Sequence, residues 1–267
     1  MSEKPDLTAL NTSRRYNQWV GGKDHTGVER ESTKIVMAVL PNMIDAAREG
    51  RAVVLRAVRH LVAECGVRQI LDIGAGQPLA PNVHEVAQKV DPAVRVVYVD
   101  NDPLVAVHHR GTVMSSAQGR AEFEPGDLRD IDALLAGDVV TGVLDLGRPV
   151  AVLLASVLHL IDDDEQAYAA VRRLREALAP GSYLVIVHGT FDTLPEETST
   201  AVTKMLATGK QGVYRARTRA EIEAFVDGLK IEEPGLVSSV EWHPDPANPP
   251  KTSVTDAMCY AVVAKLP

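Results

Sequence analysis

Residues 68–103, RQILDIGAGQPLAPNVHEVAQKVDPAVRVVYVDNDP, hold an apolar run, a glycine turn, a helical pattern and a second apolar run ending in acids. Strands joined through a helix run parallel, and parallel strands need cover on both faces. This unit therefore commits the chain to a doubly wound α/β sheet and excludes a sandwich or a bundle. Asn82 and Glu85 have the spacing of a capping box, ahead of the stripe Val83, Val86, Ala87 and Val90. Asp102 and Pro103 suit the cap and first residue of the next helix.

The alternation continues downstream. AEFEPGD (121–127) reads as a third strand, and RPVAVLLAS (148–156) as a central one, apolar on both faces. A helix is expected from about Asp164 to Leu178, with Asp162, Asp163 and Asp164 at its N-terminus as cap rather than metal site. SYLVIVHGT (182–190) is the fifth strand, and a helix follows near Arg219–Asp227. LVSSVEWHP (236–244) and MCYAVVAKLP (258–267) read as an antiparallel C-terminal hairpin, which makes seven strands. Upstream, Ile44, Ala47, Val54, Ala57, Val58 and Leu61 recur at helical spacing, Pro41 suits a helix start, and Gly21-Gly22 breaks any helix. The expected organisation is an N-terminal helical cap over 1–65 and a Rossmann-like domain over 66–267, within the 267 residues.

Composition excludes several functions. A net charge of −8 provides no basic field for nucleic acid, and 4% aromatic residues argue against a base-stacking platform. Arg172, Arg173 and Arg175 read as the solvated face of a helix. Cys65 and Cys259 lack metal-ligand spacing, so neither a zinc site nor a disulfide scaffold is expected. No apolar run approaches the roughly 20 residues of a spanning helix, and the N-terminus lacks a signal-peptide core. The expectation is a cytoplasmic protein with neither membrane nor nucleic-acid partner; the oligomeric state is open.

The glycine turn limits its ligand. A P-loop needs Gly-Lys-Ser/Thr, but Gln77, Pro78 and Leu79 follow Gly76. A dinucleotide turn needs a third glycine; Pro78 also lacks a phosphate donor, and Asp72 would repel pyrophosphate. S-adenosylmethionine instead brings an ammonium and a sulfonium, which favour Asp72. Gly74 and Gly76 allow close backbone approach, Asp100 at the second strand tip suits two ribose hydroxyls, and Asp127 suits the adenine amino group. The expected cofactor residues are Asp72, Gly74, Ala75, Gly76, Pro78, Asp100, Asn101, Asp127, Leu128 and Ser156.

The chain resembles class I S-adenosylmethionine-dependent methyltransferases and, more narrowly, the bacterial S-adenosyl methyltransferase family, formerly a domain of unknown function. The resemblance is carried by YNQWVGGKDHTGVER (16–30), LDIGAGQPLAPNVHEVAQ (71–88), VVYVDNDPLV (96–105), RPVAVLLASVLHLIDDD (148–164), LAPGSYLVIVHGT (178–190) and EPGLV (233–237). It implies the fold, S-adenosylmethionine as cofactor and S-adenosylhomocysteine as product; it implies no acceptor. His25 stands where the family commonly has asparagine, and Ala75 where it has threonine.

Methyl transfer from a sulfonium is an in-line displacement, so positioning outweighs acid–base power. His159, beyond the fourth strand, and His188, ending the fifth, are candidates for base or substrate contact, or else structural hydrogen bonds. Gly21, Gly22, Lys23, Asp24 and His25 read as a lid over the cofactor, with a surface ion pair as the plainer reading. Tyr16 and Trp19 are stacking candidates or helix anchors. The reading is a methyltransferase with a small-molecule acceptor. Its rival is a non-catalytic cofactor- or product-binding sensor, and an NAD(P) enzyme is disfavoured by Pro78.

Overall fold

A computed structural model describes residues 6–267. Three helices open the chain: α1 (Thr12–Trp19), α2 (Gly27–Val39) and α3 (Met43–Ala63). Pro41 stands two residues ahead of α3, and Asn42 takes the cap position. Then follow β1 (Gln69–Ile73), α4 (Val83–Val90), β2 (Arg95–Asp100), α5 (Pro103–Thr112) and β3 (Arg120–Pro125). Next come α6 (Ile131–Leu135), α7 (Asp138–Val143), β4 (Ala151–Ala155), α8 (Asp164–Ala177) and β5 (Tyr183–Gly189). The chain closes with α9 (Glu196–Leu206), α10 (Arg219–Glu223), β6 (Lys230–Ile231), β7 (Val237–Ser238), α11 (Val254–Ala257) and β8 (Cys259–Lys265). Among the described residues no helix is long and apolar enough to cross a membrane.

The sheet runs β3-β2-β1-β4-β5-β8-β6, with β7 also on β8; β1 to β5 are parallel and β8 is antiparallel to β5. It therefore has eight strands, where the sequence pattern predicts seven. The seventh place is divided between β6 and β7, which pair with opposite ends of β8. LVSSVEWHP contributes only Val237–Ser238 as strand, because Ser238 caps a 3₁₀ turn with Glu241 and the fully buried Trp242 leaves the sheet plane.

Strand alternation sets two cores. Leu71, Ile73, Val97, Val99, Val152 and Leu154 face α6, α7 and α8, while Ile70, Val96, Tyr98, Leu153 and Val185 face α3, α4 and α5. A third cluster, with Trp19, Val36, Leu40 and Val202, joins α1 and α2 to α3 and α9. The predicted caps form: Asn82 with Glu85, Asp102 onto the Leu104 amide at 2.8 Å, and Asp163 onto that of Gln166.

Polar bolts position the cap over the sheet. Arg14 meets Glu29 at 3.1 Å, with both side chains almost fully buried. Asn11 donates to Asp102 at 2.7 Å, seating the start of α1 on the start of α5. Arg217, also buried, donates to the carbonyls of Leu158 (2.9 Å) and Ile161 (3.1 Å), to Asp164, and to His188 Nε2 (3.1 Å).

Removing one side of a buried polar network costs more than removing an exposed partner. Arg217→Met should therefore lower unfolding free energy by roughly 3–5 kcal/mol, since two carbonyls and an imidazole lose their donor. Asp164→Asn, at a carboxylate 40% exposed, should cost under about 1 kcal/mol. Urea unfolding of both variants measures the contrast.

Candidate active site

β1 and β4 are adjacent, and the chain leaves them toward opposite sides of the sheet. Their carboxyl ends open a crevice, the usual ligand position in such sheets. The N-terminal helices roof it, leaving a cavity of about 300 Å³.

The floor is the glycine turn and the tip of β2. Gly74 and Gly76 have φ of 75° and 67°, a left-handed backbone that a side chain would strain. A Cβ on Gly74 would also lie 2.5 Å from Val157, so the close approach at this position is to β4's loop. Gly74 and Ala75 donate to the Val99 carbonyl at 2.8 and 3.0 Å, and Gly76 donates to Asp100 Oδ2 at 2.9 Å. Asp100 Oδ1 accepts from Asp102 N at 2.9 Å. His109 Nε2 holds the Gly76 carbonyl at 3.0 Å, and burial pushes that imidazole down to about 4, so it stays neutral.

Asp72 is 7% exposed, lines the cavity, and its carboxylate has no hydrogen-bond partner among the described residues. Burial pushes its pKa up to about 7; the Arg51 field opposes this and Asp100 adds to it. Asp100 is raised too, by burial, against the pull of its two amide donors. Asp127 differs. Arg129 grips it through N, Nε and Nη2, and Asn101 donates at 2.9 Å, so four donors occupy a carboxylate with about four acceptor sites. Its pKa is held far below the usual range, mainly by the Arg129 side chain. Asp127 therefore holds Asn101 in place, and the adjoining Leu128 lines the cavity.

The far wall comes from β4's end and the cap. Ser156 has a φ of 58°, a strained conformation for a non-glycine residue, and its amide donates a hydrogen bond to Val187 O at 2.8 Å. His159 lines the cavity with Nδ1 unpartnered, its ring 4.5 Å from Tyr214 and edge-on to His188 at 5.6 Å. Burial, then His188, Arg217 and Arg15, drive the His159 pKa well below the usual imidazole range. Tyr16 donates to Ala47 O at 3.2 Å and Trp19 to Thr33 at 3.0 Å, so both anchor helices while lining the cavity.

Several expected residues sit elsewhere. Pro78 is on the exit of the turn, off the cavity wall. His188 is fully buried and does not line the cavity; Arg217 donates to its Nε2, so Nδ1 carries the proton and donates to Gly189 O at 2.8 Å. Gly21, Gly22, Lys23, Asp24 and His25 also lie off the wall. A Cβ on Gly22 would fall 2.2 Å from the Asn17 amide, and Asn17 accepts from Asp24 N at 2.9 Å. The paired glycines thus wrap a side chain of α1. Arg15, Arg51, Ser13 and Tyr214 line the cavity without having been foreseen. Arginines in a polar helix and a lone tyrosine between helices have no distinctive local pattern.

A family model described as S-adenosyl methyltransferase matches residues 2–267. A DUF574 family protein from Streptomyces avermitilis MA-4680 is 38% identical, with TM-score 0.92 over 98% of this chain and 99% of that one. A proposed methyltransferase from Thermobifida fusca YX is 32% identical, with TM-score 0.88 over 98% and 96%. An O-methyltransferase family protein from Burkholderia thailandensis shares the fold alone, at 15% identity and TM-score 0.54 over 92% and 73%. No curated protein matches the chain.

The Asp72 shift fixes a sign. A carboxyl with folded pKa raised to about 7 contributes stability that is present below the unfolded value, near 4, and is lost as pH rises through 7. The unliganded wild type should lose stability relative to Asp72→Asn between about pH 4 and pH 7, read from urea midpoints across that range.

Proposed function

The chain belongs to the S-adenosyl methyltransferase family, and we propose that it transfers a methyl group from S-adenosylmethionine to a small-molecule acceptor in the roofed cavity. One observation carries this reading: Asp72, a buried carboxylate with no hydrogen-bond partner among the described residues, shares the cavity with Asp100 and with two arginines, Arg15 and Arg51. A phosphate ligand would meet repulsion on this floor, whereas an ammonium and two vicinal hydroxyls find acceptors there. The cofactor, when bound, supplies a methyl group on a sulfonium for in-line displacement.

The chain's own residues then divide the work. Asp72 receives the ammonium and becomes fully ionised beside it. Asp100 keeps its two amide donors and turns its remaining lone pairs to the ribose hydroxyls. Arg51, the cation whose field reaches Asp72, balances the carboxylate at the same end. Asn101, Leu128 and the backbone of Gly74, Ala75 and Gly76 complete that side. Ser156, Tyr16 and His159 border the space left for the acceptor. The N-terminal helices roof the cavity, and that cover supports an acceptor of metabolite size over a macromolecule.

Asp100→Ala should weaken S-adenosylhomocysteine binding on the order of ten- to a hundredfold, the value of a charge-assisted bidentate contact. At about 100 times the wild-type Kd, the wild type should gain roughly 2.7 kcal/mol and the variant roughly 0.4–1.4 kcal/mol, with a correspondingly smaller melting shift. NADH should shift neither. Stabilisation by NADH alone would overturn the cofactor assignment. Labelled S-adenosylmethionine incubated with a cell extract should label the small-molecule filtrate; label confined to protein or nucleic acid would overturn the acceptor class, and no transfer at all would favour the sensor reading.

A further inference from the structure

Arg15 is 5% exposed and lies on the cavity wall, yet no carboxylate pairs with it among the described residues. Its Nη1 is fixed to Gln211 O at 2.9 Å and Ser32 Oγ at 3.0 Å, and Ser32 in turn donates to the Gln211 side chain at 2.7 Å. These neutral partners hold the guanidinium without neutralising it. Nε is sealed off, buried without a hydrogen-bond partner, and Nη2 makes no hydrogen bond among the described residues, so Nη2 is the nitrogen left to the cavity. Leaving a buried cation without an acceptor there is costly, which points to an anionic ligand at Nη2.

The surroundings of Nη2 say which ligand. The guanidinium lies over the Trp19 ring at 5.0 Å, and it is coupled through its field to Tyr214, to the Glu29 carboxylate held by Arg14, and to His159, but not to Asp72. It therefore stands on the β4 and β5 side, across from the turn and Asp100. Tyr214 reaches this side through Gly189, where even a Cβ would fall 1.8 Å from the phenol oxygen. Its hydroxyl makes no hydrogen bond among the described residues, and its ring packs on His159 at 4.5 Å.

We propose that the acceptor is a small, flat carboxylic acid, its carboxylate accepting from Nη2 of Arg15 and its body against Tyr214 and His159. Nη2 offers a charge-assisted donor to a carboxylate oxygen, roughly twice as strong as the contact that a neutral amide could make there. This rests on the methyltransferase reading of the cavity, because the cofactor must fill the Asp72 side.

The test is calorimetric titration of protein saturated with S-adenosylhomocysteine, using benzoate against benzamide and cinnamate against cinnamamide. At least one acid should bind about ten- to a hundredfold tighter than its amide. Arg15→Gln removes the charge, and should abolish most of that preference while leaving S-adenosylhomocysteine affinity within about threefold, a tolerance below 1 kcal/mol. Equal binding of every acid and its amide by the wild type overturns the proposal, and needs no variant to fold. A tenfold loss of S-adenosylhomocysteine affinity in Arg15→Gln also overturns it, since Arg15 then serves the cofactor's carboxylate. A wild type that fails to bind S-adenosylhomocysteine refutes the underlying cofactor reading, and this proposal with it.

Discussion

The Asp100 carboxylate joins the parts that build the crevice. One oxygen holds the Gly76 amide and the other the Asp102 amide, so the glycine turn is shaped by the tip of β2. From there the links run outward. The Gly76 carbonyl is held by His109 of α5, and the Asp102 side chain receives Asn11 from the start of α1. The turn, the second strand, the following helix and the roof are therefore one hydrogen-bonded unit. Burying a carboxylate is expensive unless donors meet it. Two amides meet this one in part, and burial still raises its pKa, so a ligand offering further donors completes what the backbone begins.

The roof and floor of the cavity carry opposite charge, a property that the net charge of −8 does not express. Asp72 on the floor and Arg15 in the roof are both buried, and neither meets an oppositely charged partner among the described residues. Elsewhere the chain does not tolerate this: Arg14 has Glu29, Arg56 has Glu49, and Arg217 has Asp164. Consistency is kept in the framework and broken at the cavity, the distribution expected where stability is given up for binding. The strained Ser156 backbone beside the cavity fits the same pattern.

What the sequence makes legible follows from the range of the interactions. Caps, positive-φ glycines and strand alternation are set by neighbours in the chain, so Asn82 with Glu85, the Asp102 cap and the order from β1 to β5 could be read directly. The end of the sheet is less clear, because Arg56 of α3 holds the carbonyls of Ser239 and Trp242 and so diverts a strand-like run from far away in the chain. Gly74 reads as a place of close approach to a ligand and Gly22 as part of a lid, but the groups packed against them are Val157 and Asn17. Asp127 was visible as a strand-end acid, while its saturation by Arg129 depends on side-chain geometry. Arg15 escaped notice because its setting is made by Gln211, 196 residues away.

The two histidines show where the chemistry of this cavity lies. His188 is locked as a donor to Gly189 O and an acceptor from Arg217, so it has no proton site left for a substrate. His159 faces the cavity, but a proton on it would stand near His188, Arg217 and Arg15 without a counter-charge, and burial disfavours it further. Neither imidazole is therefore a strong base at neutral pH. Displacement at a sulfonium does not require one if the attacking atom is held in line and already carries a free lone pair. The fixed parts of the wall, Ser156 on its strained turn, Tyr214 in the gap left by Gly189, and Arg15 anchored on its far side, all restrict where an acceptor can lie. Under the proposed reaction, rate comes from orientation, and the neutral His159 ring would offer the acceptor a surface to pack against and a hydrogen-bonding partner.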